Sequence, residues 1–305
     1  MSDIIEEKNK KRVSFSQYSG WFKCPHSWYL NYLKGLRVYE ASLSTCFGTA
    51  MHNTIQDFIR VLYTDGSEKA DEIDLIKMFR ADFINIVTEA KEKAKNDFNY
   101  TEDELTDFMF DGEDILRTFS SSANRIKHFP SRKYEFIGIE VPLEVSIKNN
   151  VQFIAFVDLI LRDKTTGRYK IWDFKTSALG WNKYQVADES KYSQLLLYKA
   201  FYSKQFNVPL DAIDVEFFIL KRKLLENVTF PQNRIQIFEP ANGKGHITKS
   251  IGTFIEFIDG CFTSEGSYKE DGYYPKVPGK SKKHCKYCSH HKTNCDAKET
   301  KEPKA

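Results

Sequence analysis

Residues 151–176 read VQFIAFVDLILRDKTTGRYKIWDFKT. Two runs rich in β-branched and aromatic residues flank the turn-like KTTG, which predicts two adjacent antiparallel strands. A third such run, YEFIGIEVPLEVSI from Tyr134, ends at KNN and adds a neighbouring strand. Aspartate is disfavoured in strands, yet Asp158 and Asp173 interrupt runs apolar enough to be buried on both faces. An uncompensated carboxylate there is costly. Strand residues two apart share a side, so Asp173 and Lys175 project together while Phe174 turns into the core. With Asp158 on the partner strand, two carboxylates come within reach of one divalent cation, and such hard oxygen donors suit Mg²⁺ or Mn²⁺. Lys175 then stands where it can act on an attacking water or offset charge on a phosphate. The alternative is that these are solvent-facing charges on ordinary strands, since Asp-x-Lys recurs by chance.

The rest of the chain frames this centre. SFSQYSGWFKCPHSWYLNYLKGL places Ser14 and Ser16 before apolar residues at helical spacing, and Pro25 suits the start of a second short helix, joined to the first near Cys24. From Gly48 to Tyr63, Asp71 to Phe98 and Thr101 to Phe129, apolar residues recur at three and four, as in Ile76, Phe79, Phe83 and Val87. Three long helices are predicted. After the three strands, Asp188 to Phe206 reads as an amphipathic helix, AIDVEFFILKR as a strand, and His246 to Phe262 as a further helix. The fold class is therefore α+β, a central mixed sheet flanked by helices. Residues 1–135 form a helical section, 136–270 the sheet and its helices, and 271–305 a basic cysteine-bearing tail, all read as one integrated domain.

With 41% hydrophobic and 14% aromatic residues the chain can fill a substantial core. Its formal charge of +3, from 45 basic against 42 acidic residues, makes a mixed surface and only a weak pointer to nucleic acid. MSDIIEEKNKKR lacks an apolar run, which argues against a secretory signal, and no later stretch is long enough to span a bilayer. The expectation is an intracellular protein without a membrane partner.

Asp158, a hairpin, then Asp173-Phe174-Lys175 resembles the signature of the PD-(D/E)XK nuclease superfamily. The branch it is most similar to is the RecB-like one, which includes AddB-type nuclease domains and CRISPR-associated RecB-like exonucleases. Gly48-Thr49-Ala50-Met51-His52 looks like that branch's Gly-x-x-x-His motif, and Gln194-Leu195-Leu196-Leu197-Tyr198 like its Gln-x-x-x-Tyr motif. The resemblance implies a restriction-endonuclease-like core and His52, Asp158, Asp173 and the Phe174 carbonyl as ligands to Mg²⁺ or Mn²⁺. It also implies Lys175 as the catalytic amine, with Gln194 and Tyr198 contacting the substrate backbone or orienting Lys175. Asp173 stands where many relatives carry glutamate, which shortens the reach to the ion. Glu140, on the preceding strand, is a candidate further ligand. From the residues alone, His52 could instead be structural, and Gln194 and Tyr198, four apart on one helix face, could be a half-buried polar edge.

Cys285, Cys288 and Cys295 crowd into CKYCSHHKTNC. In a large chain without a signal segment, metal ligation is the better reading than disulfides. The resembling subset carries one cysteine before the nuclease core and three after it, holding a four-iron iron–sulfur (4Fe-4S) cluster, which implies Cys24 as the fourth ligand. The competing reading is Zn²⁺, with His284, His290 or His291 replacing Cys24. Cys46 and Cys261 read as core residues.

KVPGKSKKHCKYC and the KRK around Arg222 are basic enough to attract phosphates, or are simply solvated surface. WFKCPHSWYLNYL could stack unpaired bases, although core is the favoured reading. The implied function is metal-dependent hydrolysis of DNA, acting as an exonuclease on single strands or ends in recombination, repair or phage DNA processing. A bacterial or phage-infected cell is the implied setting, with a helicase or recombination protein as a partner. The alternatives are a non-catalytic DNA-binding or adaptor subunit of a recombination or CRISPR-adaptation complex, and a zinc-stabilised RNA-processing enzyme.

Overall fold

A computed structural model describes residues 10–37, 39–94, 98–278 and 283–296. Most of the charged leader, and Lys280 and Lys282 of the basic tail, lie outside the described residues.

The chain opens with β1 (Lys11–Val13), α1 (Phe15–Lys23) and α2 (Pro25–Trp28), which runs into a π-helical turn at Tyr29–Leu33. Ser14 caps α1 by accepting from the Gln17 N–H, and Pro25 occupies the first turn of α2, where a missing N–H costs nothing. A helical layer follows: α3 (Leu43–Thr64), α4 (Ser67–Asp71), α5 (Leu75–Ala94), α6 (Glu102–Phe119) and α7 (Ser122–His128). One of the three helices predicted here, Thr101 to Phe129, is divided, and a short unpredicted helix follows the first. Gly66, in a left-handed conformation, separates α3 from α4, and Ser121 caps a separate α7. α3 also begins earlier than its apolar spacing suggested, because Ser42 and Thr45 form a reciprocal capping box.

The strands are β2 (Tyr134–Ser146), β3 (Val151–Asp163), β4 (Tyr169–Ser177), β5 (Ile213–Lys221) and β6 (Ile235–Phe238). Between β4 and β5 lie α8 (Lys183–Val186) and α9 (Glu189–Phe206), and α10 (Lys244–Cys261) follows β6. The three predicted antiparallel strands are β2, β3 and β4. β5 joins β4 in parallel and β6 closes that edge antiparallel, giving the six-stranded mixed sheet of an α+β fold.

β2 runs along one edge of β3, from Gln152 to Asp163. The other edge is shared. β1 pairs in parallel with Val151–Phe153, whereas β4 pairs only with Leu159–Arg162. Between them, residues 154–158 of β3 have no strand on this edge among the described residues. The sheet is forked there.

Helices cover both faces. α3, α5 and α6 bury Phe47, Phe58, Phe79, Phe83 and Phe119 against Trp172, Phe174, Phe218 and Leu220. α1, α2, α9 and α10 bury Tyr18, Trp28, Leu196 and Phe254 against Ile171, Val215, Phe217 and Ile219 on the opposite face. Each fully buried large side chain contributes about 1.5–3 kcal/mol, so both layers are held firmly on the sheet. Trp28 stacks on Tyr32 and Tyr274, so the core reading of the aromatic WFKCPHSWYLNYL segment holds for its central ring. The KRK segment is not a free cationic patch. Arg222 pairs with Asp111 at 2.8 Å and Lys223 with the same carboxylate at 3.1 Å.

Candidate active site at the sheet fork

The antiparallel β3–β4 ladder has Leu159↔Trp172 as its last rung. The next residues on the two strands are Asp158 and Asp173, so they stand opposite each other at the crotch of the fork. Here the Phe174 N–H donates to Asp158 Oδ2 at 2.6 Å. A side chain has replaced the main-chain acceptor.

The alternation of faces also changes at this level. Val141 and Val157 belong to the α9 side of the sheet, Ile139 and Leu159 to the α3 side. The residues between them are Glu140 and Asp158, and Glu140 adopts φ +51°, a left-handed conformation uncommon for a side chain of this size. Backbone strain of this kind costs on the order of 1–3 kcal/mol and clusters at functional sites. Glu140 Oε1 accepts from Gln56 Nε2 at 2.6 Å, and the same amide reaches the Asp158 carbonyl at 3.4 Å.

A gap in the sheet lets both helical layers reach one point. From the α3 side, His52 Nδ1 lies 3.6 Å from Asp158 Oδ2, and its ring meets Phe174 edge-on. Gly48, one turn earlier, allows this approach: a Cβ there would sit 3.3 Å from the Thr176 hydroxyl of β4. From the α9 side come Gln194 and Tyr198, with the Gln194 amide donating to the Tyr198 oxygen at 2.9 Å. Because the phenol accepts that bond, its own proton is free to be donated elsewhere.

Burial dominates the electrostatics. Asp173 is 2% exposed, and Lys175 Nζ lies 2.6 Å from its Oδ2. That oxygen nevertheless has no aligned hydrogen-bond donor, so the contact is an ion pair by proximity only. Burial, then the charge of Asp173, push the Asp158 carboxyl well above its ordinary value, against the pull of Lys175 and the Phe174 N–H. Burial pushes the His52 imidazole down and keeps it neutral, the form that can ligate a metal. Burial, reinforced by Asp173, pushes the Tyr198 phenol up, so it stays protonated. Lys175 keeps 32% of its side chain exposed, so solvent reaches it far more readily than Asp173.

All the residues expected from the sequence at this centre, His52, Asp158, Asp173, Phe174, Lys175, Gln194 and Tyr198, therefore converge on the fork, and Glu140 joins them. Sequence reasoning did not reach Gln56. Its signal was present, a glutamine one helical turn after His52 on an otherwise apolar face. Among the described residues, no three His, Cys, Asp or Glu side chains converge tightly enough to form a ready-made cage for an ion.

The second cluster lies apart. Cys24, Cys285, Cys288 and Cys295 line one cavity of about 270 Å³, together with His26, His284 and His291. Among the described residues, none of the four is joined in a disulfide. His290 is not available to this cavity as a ligand: Nε2 is 2.9 Å from Asn31 Oδ1 and Nδ1 is 3.3 Å from Asn294 Nδ2. It instead ties the tail to the turn after α2. Cys46 and Cys261 are buried in the two cores, as expected.

Residues 12–295 match the family described as the PD-(D/E)XK nuclease superfamily. The chain belongs to that superfamily. Its members are nucleases that use divalent metal ions. Among solved structures, a provisionally assigned exonuclease from Eubacterium rectale is similar at 12% identity and a TM-score of 0.46, covering 83% of this chain and 81% of that one. No curated protein matches the chain. Among the described residues, no helix is long and apolar enough to cross a membrane.

Proposed function

We propose that this superfamily member hydrolyses DNA phosphodiesters with Mg²⁺ or Mn²⁺ at the fork, acting as an exonuclease of the RecB-like type on single strands or ends. The observation that carries this reading is the meeting of Asp158 and Asp173 across the last rung of β3 and β4, with the Lys175 ammonium at their mouth.

The donor set fits a hard divalent ion. A buried Asp173 oxygen lacks an aligned donor, and Asp158 is poorly stabilised as an anion without added positive charge. His52, Asp158, Asp173 and the Phe174 carbonyl would hold the ion, with Glu140 as a further oxygen. Bound there, it supplies Lewis-acid stabilisation of phosphate charge. The protein's own residues do the rest. Lys175 orients the attacking water and offsets charge building on the phosphate. Gln194 fixes the Tyr198 phenol so that its free proton can be donated to a phosphate oxygen. Unwinding of a duplex falls to a separate helicase or recombination partner.

We assign a structural role to the cysteine cavity. Four thiols line one cavity, and four cysteine thiolates are the ligand set of a 4Fe-4S cluster. Such a cluster would tie Cys24 to the tail, across most of the chain. Iron and sulfide analysis of anaerobically purified protein checks it; stoichiometric zinc would replace the assignment.

The deciding experiment is digestion of end-labelled single- and double-stranded DNA with and without Mn²⁺. Ion-dependent shortening from the ends, lost in Asp173→Ala and Lys175→Ala, is the expected result. Inertness of the wild type towards every DNA form would leave a DNA-binding or adaptor role.

A further inference from the structure

The loop leaving the catalytic strand is built as a rigid platform. Trp181 exchanges two main-chain hydrogen bonds with the Gln236 side chain of β6, N–H to Oε1 at 2.8 Å and Nε2 to the carbonyl at 2.9 Å. Gly180, at φ +86°, makes this possible, since a Cβ would lie 2.5 Å from the same Gln236 Oε1. Ser177 closes the turn by donating to the Gly180 carbonyl at 3.0 Å. The Trp181 ring then packs on Phe217 at 4.8 Å.

Two lysines meet this platform. Lys175 lies 5.9 Å from the Phe217 ring centroid and Lys191 5.1 Å from that of Trp181, so the two cations sit on neighbouring rings. Lys191 is three residues before Gln194 and seven before Tyr198, on the same face of α9. From Tyr198 to Lys191 the helix climbs about 10 Å, leading outward from the carboxylates. A third lysine comes from α1. The Ser19 hydroxyl donates to the Ser190 carbonyl at 3.0 Å, which lays α1 against the start of α9 and brings Lys23, one turn after Ser19, towards Lys191. Burial above all disfavours the charged form of Lys191; Asp188 favours it, and Lys23 and Lys175 oppose it, consistent with their closeness.

The nearby acids are committed elsewhere. Asp188 caps α9 by accepting from the Ser190 N–H at 3.0 Å and hydroxyl at 2.6 Å, and Glu189 pairs with Lys249 at 2.7 Å. Lys23 and Lys191, which form no close ion pair with a carboxylate among the described residues, suit an anionic ligand. Tyr184, seven residues before Lys191, is 72% exposed on the one-turn α8, with Lys183 over its ring. An exposed aromatic next to a cationic track is what single-stranded nucleic acid uses for stacking.

We propose that Lys191 and Lys23 form a phosphate subsite and Tyr184 a base-stacking platform, together gripping single-stranded DNA just outside the fork. This deepens, and rests on, the nuclease reading above. The Trp181 loop fixes the subsite relative to Lys175, so the strand's register at the carboxylates is set by rigid parts.

The test is fluorescence anisotropy of a labelled oligo(dT) and of a duplex of equal length, with the full chain in EDTA over a range of salt. Each phosphate contact to a single strand contributes about 0.7 to the slope of log K against log salt, so Lys23→Gln with Lys191→Gln should lower its magnitude by about 1.4. Lys191→Arg should preserve the wild-type slope, and Lys223→Gln, which removes an ion-paired cation elsewhere, should leave it unchanged. Tyr184→Ala should weaken oligo(dT) binding about tenfold and leave duplex binding alone. An unchanged slope in the double variant, or an equal change in Lys223→Gln, overturns the phosphate subsite. Equal weakening of both DNA forms by Tyr184→Ala overturns the stacking role. Because binding is read without cleavage, the two readings fail separately: a wild type that cuts DNA, with the slope unchanged in the double variant, removes only the subsite, and a wild type that never cuts, with the slope lowered in the double variant, removes only the nuclease.

Discussion

The Phe174 N–H and Asp158 Oδ2 are 2.6 Å apart, one step past the point where β3 and β4 stop pairing. This bond holds the carboxylate inside the fork and substitutes for the ladder that the strands have given up. It also explains why the site can draw on both helical layers: with no main-chain rung here, His52 from α3 and Tyr198 from α9 approach the same pair of acids.

Asp158→Asn should separate stability from activity. The asparagine oxygen can still accept from Phe174, but the buried negative charge is gone. A carboxyl whose folded pKa is raised is bound to its proton more tightly in the native state, so its contribution to stability declines as pH rises from the unfolded value, about 3.9, through the folded one. Without metal, the variant should therefore melt higher than wild type at neutral pH, by on the order of 1 kcal/mol or about 2 °C, and the gap should close in acid. Cleavage should be lost. Thermal melts in EDTA between pH 4 and 8 check this; a lower Tm at neutral pH would contradict the burial argument.

Divalent ion should stabilise the wild type in the opposite pH sense. Binding requires Asp158 ionised, so the ion competes with its proton. At a hundredfold excess over Kd, Mn²⁺ adds about 2.7 kcal/mol, and the Tm increment should be larger at pH 8 than at pH 5. Asp158→Asn and Asp173→Asn should show little increment at either pH.

Much of this centre was legible because it is local. The two aspartates, the intervening turn and Lys175 all lie within one hairpin, where alternation alone decides which side chains share a face. What was not legible depends on distant partners. Three residues, Lys11–Val13, are too few to signal a strand, yet they pair with the far end of the β3 edge that β4 leaves open and so complete the fork. The change of faces at Glu140 and Asp158 breaks the alternation that strand reading assumes. Arg222 and Lys223 look like a cationic patch until α6 brings Asp111 to them from over a hundred residues away. Trp181 carries no periodic signal at all, because its place is fixed by Gln236 on a strand formed much later in the chain.

Glu140→Gly tests whether the left-handed residue in β2 is retained for its carboxylate. Glycine adopts φ +51° without the steric penalty, roughly 1 kcal/mol or more, that a side chain carries there. The variant should match or exceed the wild-type Tm while losing activity, and Gln56 should lose its 2.6 Å partner. Unchanged turnover, measured at saturating Mn²⁺, would show that the carboxylate has no part in the reaction.

Gly48→Val reaches the site through backbone distance alone. The glycine faces Thr176, and even a Cβ would approach its hydroxyl to 3.3 Å. Two further methyls leave no room, so α3 must move off β4 and carry His52, one turn on, away from Asp158. A displacement near 1 Å is enough to lower turnover about a hundredfold. Gly48→Ala, which asks only that the Thr176 hydroxyl yield by a few tenths of an ångström, should retain most activity. Combining Gly48→Ala with Thr176→Ala should bring it closer still to wild type, because the hydroxyl that the new Cβ meets is then gone. Steady-state cleavage and Mn²⁺ affinity measured across this series separate spacing from chemistry: a graded loss that follows side-chain volume at position 48, with metal affinity falling in parallel, is expected. Full activity in Gly48→Val would mean that the position of His52 does not matter to the reaction.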